Sequence, residues 1–217
     1  MKIIPSAICS LLLLSLFVIP SSLVLGQEVK YDLQKLLKEN QLITYSHQET
    51  QLLDDPEKSA IASKGIVWLK DINFKDGTIE VDLRGKDVFL KSFLGIAFHA
   101  VDTSTYDVIY FRPFNFRHAD TLRRKWSVQY MSIPDFNYAR LRKEHPLMYE
   151  NAVTPVPKAD EWFHATIIVR GNDLSVYVNH ATEPSLKVKK LNTRTDGKIG
   201  LWSDELPGNF ANLSITP

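Results

Sequence analysis

Hydrophobic and polar residues alternate along most of the chain, which predicts a protein built almost entirely from β-strands. Residues 77–85 (GTIEVDLRG) place apolar side chains at every second position, the period of a strand with one buried face. Residues 161–179 repeat the pattern twice around a Gly-Asn-Asp turn, as a hairpin does. Two further short strands are predicted at 197–204 and 209–215. Strands of this length, separated by turn residues, predict an all-β fold: a two-sheet antiparallel β-sandwich.

The pattern changes towards the amino terminus. Residues 30–39 place leucines at helical spacing and predict a short amphipathic helix ahead of the sandwich. Residues 1–26 combine an early lysine, an apolar run and small residues at cleavage-like positions, as a secretory signal peptide does. The apolar run is short for a membrane span, so we expect no stable membrane insertion. We therefore predict a signal peptide at 1–26, a helical lead-in at 27–44, a sandwich domain at 45–217 and a secreted or periplasmic location.

Residues 93–112, FLGIAFHAVDTSTYDVIYFR, predict a hairpin with one core face and an unusual second face. A four-residue turn at 102–105 would place small residues of the first strand opposite larger or polar residues of the second. Glycine inside a strand has nothing to pack, so Gly95 and Ala97 indicate that another surface, either protein or ligand, comes close. The predicted pairs on this face are Gly95–Arg112, Ala97–Tyr110, His99–Val108 and Val101–Tyr106.

Polar residues converge on the space above these small side chains. Pro113 cannot donate to a sheet ladder and predicts a bulge, which would return the polar residues after it to the face of Arg112. A third strand at 125–132 offers Gln129 or Tyr130 to the same face. Side chains of these types hydrogen-bond, stack and pair with anions, which favours a ligand site. The predicted substrate-binding residues are His99, Tyr110, Arg112, Asn115, Arg117 and Gln129.

A long proline-rich connection at residues 133–160 is predicted to form one wall of this site, since loops of this length in compact domains are commonly functional. It carries Glu150 and His145, which are candidates for a catalytic acid and base, although their spacing is not diagnostic. No GxSxG nucleophile motif is present, and the six histidines lack zinc-ligand spacing, so no metal site is predicted. Calcium binding remains an open alternative, because loop carboxylates and carbonyls can bind calcium without a recognisable sequence motif.

The net charge and the distribution of charged residues limit the kinds of ligand or partner that the protein is expected to bind. Lysine and arginine number 26 against 25 aspartates and glutamates, which argues against a general polyanion binder and so against nucleic acid. Eight of the basic residues and only two of the acids lie between Arg112 and Lys143, a local positive field suited to an anionic ligand. The one cysteine, Cys9, falls in the predicted signal peptide, so we expect the sandwich to hold together without a disulfide.

Two carboxyl-terminal stretches resemble a known family. WFHATIIVRGNDLSVYVN (162–179) resembles strands of laminin-G-like and concanavalin-A-like jelly rolls, and GKIGLWSDELPGNFANLSI (197–215) is similar to the closing motif of the 3-keto-disaccharide hydrolase domains of secreted bacterial proteins. The resemblance covers residues 45–217. It implies a jelly roll whose concave face handles sugars, and the family name implies hydrolysis of oxidised glycosides. The basic segment after residue 112 departs from the family pattern, which bears on the substrate more than on the fold.

Three functions follow from these observations. The residues favour an exported protein that recognises an acidic or oxidised glycan, with arginine pairing a carboxylate or sulfate. The first alternative is a glycoside hydrolase of the 3-keto-disaccharide type, with Glu150 or His145 as proton donor. The second is a protein-binding adhesion module, since laminin-G-like domains also bind proteins; it predicts that the 133–160 segment covers Gly95 and Ala97. The sequence does not determine the oligomeric state.

Overall fold

The fold was analysed in a computed structural model, which describes residues 26–45 and 49–217; the predicted signal peptide lies outside these residues except for Gly26. The strands are β1 (Val29–Tyr31), β2 (Leu42–Ile43), β3 (Thr50–Leu53), β4 (Ala60–Phe74), β5 (Gly77–Arg84), β6 (Ser92–Ala100), β7 (Tyr106–Phe111), β8 (Val128–Ile133), β9 (Glu150–Asn151), β10 (Phe163–Arg170), β11 (Asp173–Val178), β12 (Leu186–Lys189) and β13 (Gly197–Thr216). The helices are α1 (Leu33–Lys38), α2 (Thr121–Arg124) and α3 (Tyr138–Glu144), with a 3₁₀ turn at Pro113–Asn115. Among the described helices, none has the length and apolarity that a membrane span requires.

The strands form two antiparallel layers joined by the long strand β13. The hydrogen-bonded order is β12-β11-β10-β5-β13-β6-β7-β8-β9, and β4 also pairs with β13. The second half of β13 pairs with β5 and the first half with β6. We call β5, β10, β11, β12 and the second half of β13 the first sheet, and the first half of β13 with β6–β9 the second sheet. Phe163 of the first sheet contacts Phe111 of the second, with 5.1 Å between ring centroids, so the layers face each other. The predicted two-sheet sandwich is confirmed.

Alternation explains why the first sheet forms. In β10 every second residue is buried, from Phe163 to Val169, and the residues between them are partly exposed. Each large side chain removed from water in this way contributes about 1.5–3 kcal/mol. The hairpin from β10 to β11 is confirmed, with Arg170 opposite Asp173.

The amino-terminal helix is confirmed as α1. Asp32 caps it by accepting a hydrogen bond from the backbone N–H of Lys35 at 3.1 Å, and Leu33 is fully buried against the sandwich. The strands on either side of α1 pair with the body of the fold, β1 with β13 and β2 with β4. The predicted lead-in therefore contributes strands to the sandwich.

Two local predictions are wrong. Residues 197–204 and 209–215 are not separate strands but parts of β13, whose ladder shifts register between Ser203 and Gly208 while the chain stays extended. The shift lets one strand serve both layers. Pro113 starts a 3₁₀ turn that ends β7, rather than a bulge within a continuing strand. Proline fits the first turn of a helix because its missing N–H has no intrahelical partner there.

The hairpin of β6 and β7 has a register that differs from the predicted one by two residues. Gly95 lies opposite Tyr110 rather than Arg112, and Ala97 lies opposite Val108. Because side chains alternate with a period of two, a shift of two residues keeps these side chains on their predicted face. The predicted pairs are therefore wrong, whereas the face that carries Gly95, Ala97 and Tyr110 is correct.

A β-bulge in β6 accounts for the longer hairpin. Two residues of β6 between Ala97 and Ala100 lie opposite the single residue Ile199 of β13. One of them, His99, has φ +48°, which takes its side chain out of the predicted row. The ring of His99 is fully buried and stacks on Phe74, with 5.7 Å between centroids. The prediction that His99 faces the outer surface of the hairpin is therefore wrong.

Candidate functional site

One row of side chains crosses the outer face of the second sheet. Its members, which are successive partners on neighbouring strands, are Ile66, Trp202, Gly95, Tyr110, Gln129 and Glu150. The rings of Tyr110 and Trp202 approach to 5.2 Å between centroids across Gly95. Gln129, which the sequence offered as an alternative to Tyr130, is the residue that joins this row.

Gly95 and Ala97 are small because protein, not ligand, comes close. A Cβ added at Gly95 would lie 2.0 Å from the carbonyl oxygen of Ile109 and 2.6 Å from the Cα of Tyr110. Ala97 is fully buried within a second apolar cluster on this face that includes Trp202. The open bay predicted directly above these two residues is therefore filled by packed side chains.

A cavity of about 360 Å³ nevertheless opens beside this packed row, a size within the usual range for small-molecule sites. Its aromatic walls are Phe93, Tyr110, Tyr138 and Trp202. Its charged groups are Arg112, Arg142, Asp204 and Glu205. Tyr138 and Arg142 come from α3, so the prediction that the 133–160 segment forms one wall is confirmed.

Arg112 lies at the bottom of this cavity, only 5% exposed, and its guanidinium is committed to protein acceptors. Nη2 donates to the Tyr110 hydroxyl and to the side-chain carbonyl of Gln129, and Nη1 donates to the Trp126 carbonyl at 2.8 Å. Desolvation lowers the pKa of Arg112 and raises the pKa of Tyr110 to about 12. Arg112 therefore fixes the floor of the cavity by positioning Tyr110 and Gln129.

Glu150 holds the second arginine of the cavity. Its carboxylate accepts two hydrogen bonds from Arg142, at 3.2 and 2.8 Å, and lies 3.6 Å from Nη1 of Arg112. The Arg142 guanidinium stacks over Trp126 at 4.1 Å, and its side chain keeps 34% exposure. Because both oxygens of buried Glu150 accept from Arg142, this carboxyl is placed to orient arginines rather than to hand a proton to a leaving group.

The remaining predicted residues lie apart from the cavity walls. Asn115 donates to the Trp126 carbonyl at 3.2 Å, the same acceptor that Arg112 uses. Arg117 points away and donates to the carbonyl of Pro157 at 3.1 Å. His145 follows the last turn of α3 and packs edge-on against Tyr149. His99 lies between the sheets, where its Nε2 donates to the Lys75 carbonyl at 2.6 Å.

Three cavity residues on β13, Trp202, Asp204 and Glu205, were not predicted from the sequence. Trp202 reaches the site by pairing with Gly95, a contact between residues far apart in the chain. Asp204 follows two positions later and pairs with Phe93. The sequence did contain one indication, since Trp202 lies in the closing motif at 197–215 that resembles the family. However, only the order of the strands in the sheet shows that Trp202 lies beside Tyr110.

A second cavity, of about 590 Å³, opens on the outer face of the first sheet. Asp82 lies at its base and accepts hydrogen bonds from His164 at 2.8 Å, Lys58 at 2.8 Å and Asn212 at 2.7 Å. Burial raises the pKa of Asp82, but these hydrogen bonds outweigh burial and lower it to about 2. The bond to Asp82 in turn raises the pKa of His164. From the sequence alone, the alternating pattern of β5 explained Glu80 and Asp82 simply as the solvent-facing side of a strand.

Within residues 26–45 and 49–217, no three His, Cys, Asp or Glu side chains converge as metal ligands would.

The protein is thus a β-sandwich domain with an aromatic-walled pocket on the outer face of one sheet. Comparison with known proteins assigns its family. Residues 30–216 match the 3-keto-α-glucoside-1,2-lyase-like domain family, so the chain belongs to it. No curated protein matches the chain.

Two of the solved structures that match this chain illustrate the shared fold. A carbohydrate-binding module, CBM66 from Bacillus subtilis, is 15% identical, with 77% of this chain and 94% of that chain covered and a TM-score of 0.53. A putative glycosyl hydrolase from Parabacteroides distasonis is 14% identical, with coverage of 81% and 93% and a TM-score of 0.53. At these identities the likeness is one of fold.

Proposed function

We propose that the protein binds a carbohydrate in the cavity on the outer face of the second sheet. The observation that carries this proposal is the placing of aromatic rings and charged donors and acceptors around a single opening. The apolar face of a sugar ring packs on aromatic side chains such as Trp202 and Tyr138, and its hydroxyls exchange hydrogen bonds with Arg142 and Asp204. Membership of a family named for a glucoside supports the same ligand class.

The preferred ligand is an acidic or oxidised glycan, and Arg142 is the residue that would select it. Arg142 lines the cavity, and its Nη1 has no hydrogen-bond acceptor among the described residues. Glu150 holds Nε and Nη2 in place, so the free edge of the guanidinium is pre-oriented for a carboxylate or sulfate. Arg112 is less suited to this role, since it is only 5% exposed and its Nη1 and Nη2 already donate to protein acceptors. The signal-peptide character of residues 1–26 favours action outside the cytoplasm.

The test is calorimetric titration with a uronic-acid oligosaccharide and its neutral counterpart. We expect Arg142→Gln to weaken binding of the acidic glycan at least about tenfold and binding of the neutral glycan far less, because a hydrogen bond to a charged group contributes about 1.5–3 kcal/mol and one between neutral groups about 0.5–1.5 kcal/mol. Arg170→Gln, an exposed change on the first sheet, is the matched control. Equal loss for both sugars would contradict the acidic preference, and no binding of any glycan by the folded wild type would contradict the function.

A second candidate function is cleavage of a glycoside in the same cavity. The observation that favours it is Asp204, an exposed carboxylate on the cavity wall with no cationic partner among the described residues, whereas Glu205 pairs with Lys91 at 2.8 Å. A lyase needs a group that accepts a proton, and a free carboxylate supplies one. We expect Asp204→Asn to abolish turnover of a 3-keto-glucoside while binding persists. Retained turnover in this variant would remove Asp204 from the reaction.

A further inference from the structure

The cavity on the first sheet has a carboxylate that the fold does not use. Glu80 lies on its wall with 33% of its side chain exposed, and its one partner in the described chain is Nε2 of His164, at a long 3.4 Å. Neighbouring Asp82 is different, since Lys58, His164 and Asn212 satisfy both of its oxygens. Glu80 is therefore the group left to receive a ligand.

The charge of this cavity is acidic. Its lining includes the carboxyl groups of Glu28, Asp32, Glu80 and Asp82. Against them stand Lys30, which lies 3.6 Å from Glu28, Lys58, which neutralises Asp82, and His164, whose pKa is raised by its bond to Asp82. An anion would be repelled here, in contrast to the arginine-bearing cavity on the second sheet.

A hydroxyl on the cavity wall offers a hydrogen-bonding position independently of charge. Ser214 lines the cavity, is only 5% exposed, and its hydroxyl has no hydrogen-bond partner in the described part of the chain. It sits between Lys30 on β1 and Glu80 on β5 in the sheet ladder. A hydroxyl without a protein partner that faces a cavity can exchange a hydrogen bond with a ligand group or with water.

The wall behind Glu80 is rigid. His164 is fixed at Nδ1 by Asp82 and stacks on His180, with 4.2 Å between ring centroids. Tyr31 adds a half-buried ring to the same cavity. The largely free carboxylate of Glu80, a free hydroxyl and an aromatic edge together match a hydroxylated ring that carries a positive charge.

We infer that this cavity binds a protonated amine on a hydroxylated ring, the chemistry of an amino sugar. The ammonium group pairs with Glu80, and a ring hydroxyl bonds to Ser214. This site is separate from the proposed glycan cavity, because Glu80 lies on β5 of the first sheet and Trp202 on the first half of β13 in the second.

The test is titration of the full chain with glucosamine, glucose and N-acetylglucosamine at neutral pH, followed by histidine ring NMR signals. Glucosamine should bind up to about fivefold more tightly than the two neutral sugars and shift the His164 signals, since a partly exposed ion pair contributes at most about 1 kcal/mol. Glu80→Gln should remove that advantage. Glu183→Gln, an exposed change outside the cavity lining, should keep it.

Equal affinity for glucosamine and glucose would overturn this inference, as would a glucosamine advantage that survives Glu80→Gln. Trp202→Ala should leave glucosamine binding unchanged, since Trp202 belongs to the other cavity. Loss of glycan binding in Trp202→Ala with glucosamine binding intact would thus separate the two sites, and either proposal can fail alone.

Discussion

Glu150→Ala is expected to lower the free energy of unfolding by about 3 kcal/mol, because it removes the counter-charge of a buried arginine. Glu150 is 3% exposed and Arg112 is 5% exposed, so water cannot replace the lost carboxylate. Arg142 loses both of its hydrogen bonds to Glu150 at the same time. Arginines without this anchor no longer hold the floor and wall of the glycan cavity in one arrangement.

Urea unfolding of the wild type and two variants measures this effect. The matched control is Glu144→Ala, which removes an exposed carboxylate that also pairs with an arginine, Arg140, at 2.8 Å. Exposed pairs contribute at most about 1 kcal/mol, so the control should lose far less stability. If the two variants lose the same amount, the buried arrangement around Glu150 does not stabilise the cavity.

Gly95→Ala is expected to destabilise the fold by about 2–3 kcal/mol, since a methyl group there has no room. The added Cβ would lie 2.0 Å from the Ile109 carbonyl oxygen, so β6 and β7 would have to separate in the middle of the second sheet. The row that carries Trp202 and Tyr110 runs through this point, and we therefore expect glycan binding to weaken as well.

Gly171→Ala is the comparison that separates crowding from backbone strain. Gly171 has φ +57° in the β10–β11 turn, but nothing lies within 4 Å of the position that a Cβ would take. Only the left-handed backbone conformation opposes alanine there, at about 1 kcal/mol. A loss of stability in Gly95→Ala no larger than in Gly171→Ala, measured by urea unfolding, would show that β7 does not approach as closely as the structure indicates.

Alternation predicted the strands well because burial of one face is a local property of the sequence. β5, β10 and β11 lie where the pattern placed them, and the turn residues between β10 and β11 predicted their hairpin. The register of β6 and β7 was not predictable in the same way, since it depends on a bulge at His99. No feature of the hairpin sequence indicates that His99 adopts a positive φ.

The candidate site was predictable only in part, for a related reason. Tyr110 and Gln129 were found because they lie on consecutive strands, and the two-residue shift left their face unchanged. Trp202 and Asp204 were missed because β13 joins β6 through a pairing between distant parts of the chain. The His164–Asp82 pair also depends on a non-local register, so alternation indicated no more than two exposed polar positions.

The most direct test of the carbohydrate site uses the four tryptophans as reporters, followed by indole N–H NMR signals during titration with a glycan that binds. Trp202 lies on the wall of the proposed cavity, whereas Trp162 lies beneath Arg84 at 4.4 Å and outside it. Binding at the proposed site predicts a progressive shift of the Trp202 signal with the Trp162 signal unchanged. A shift of Trp162 with Trp202 unmoved would contradict it.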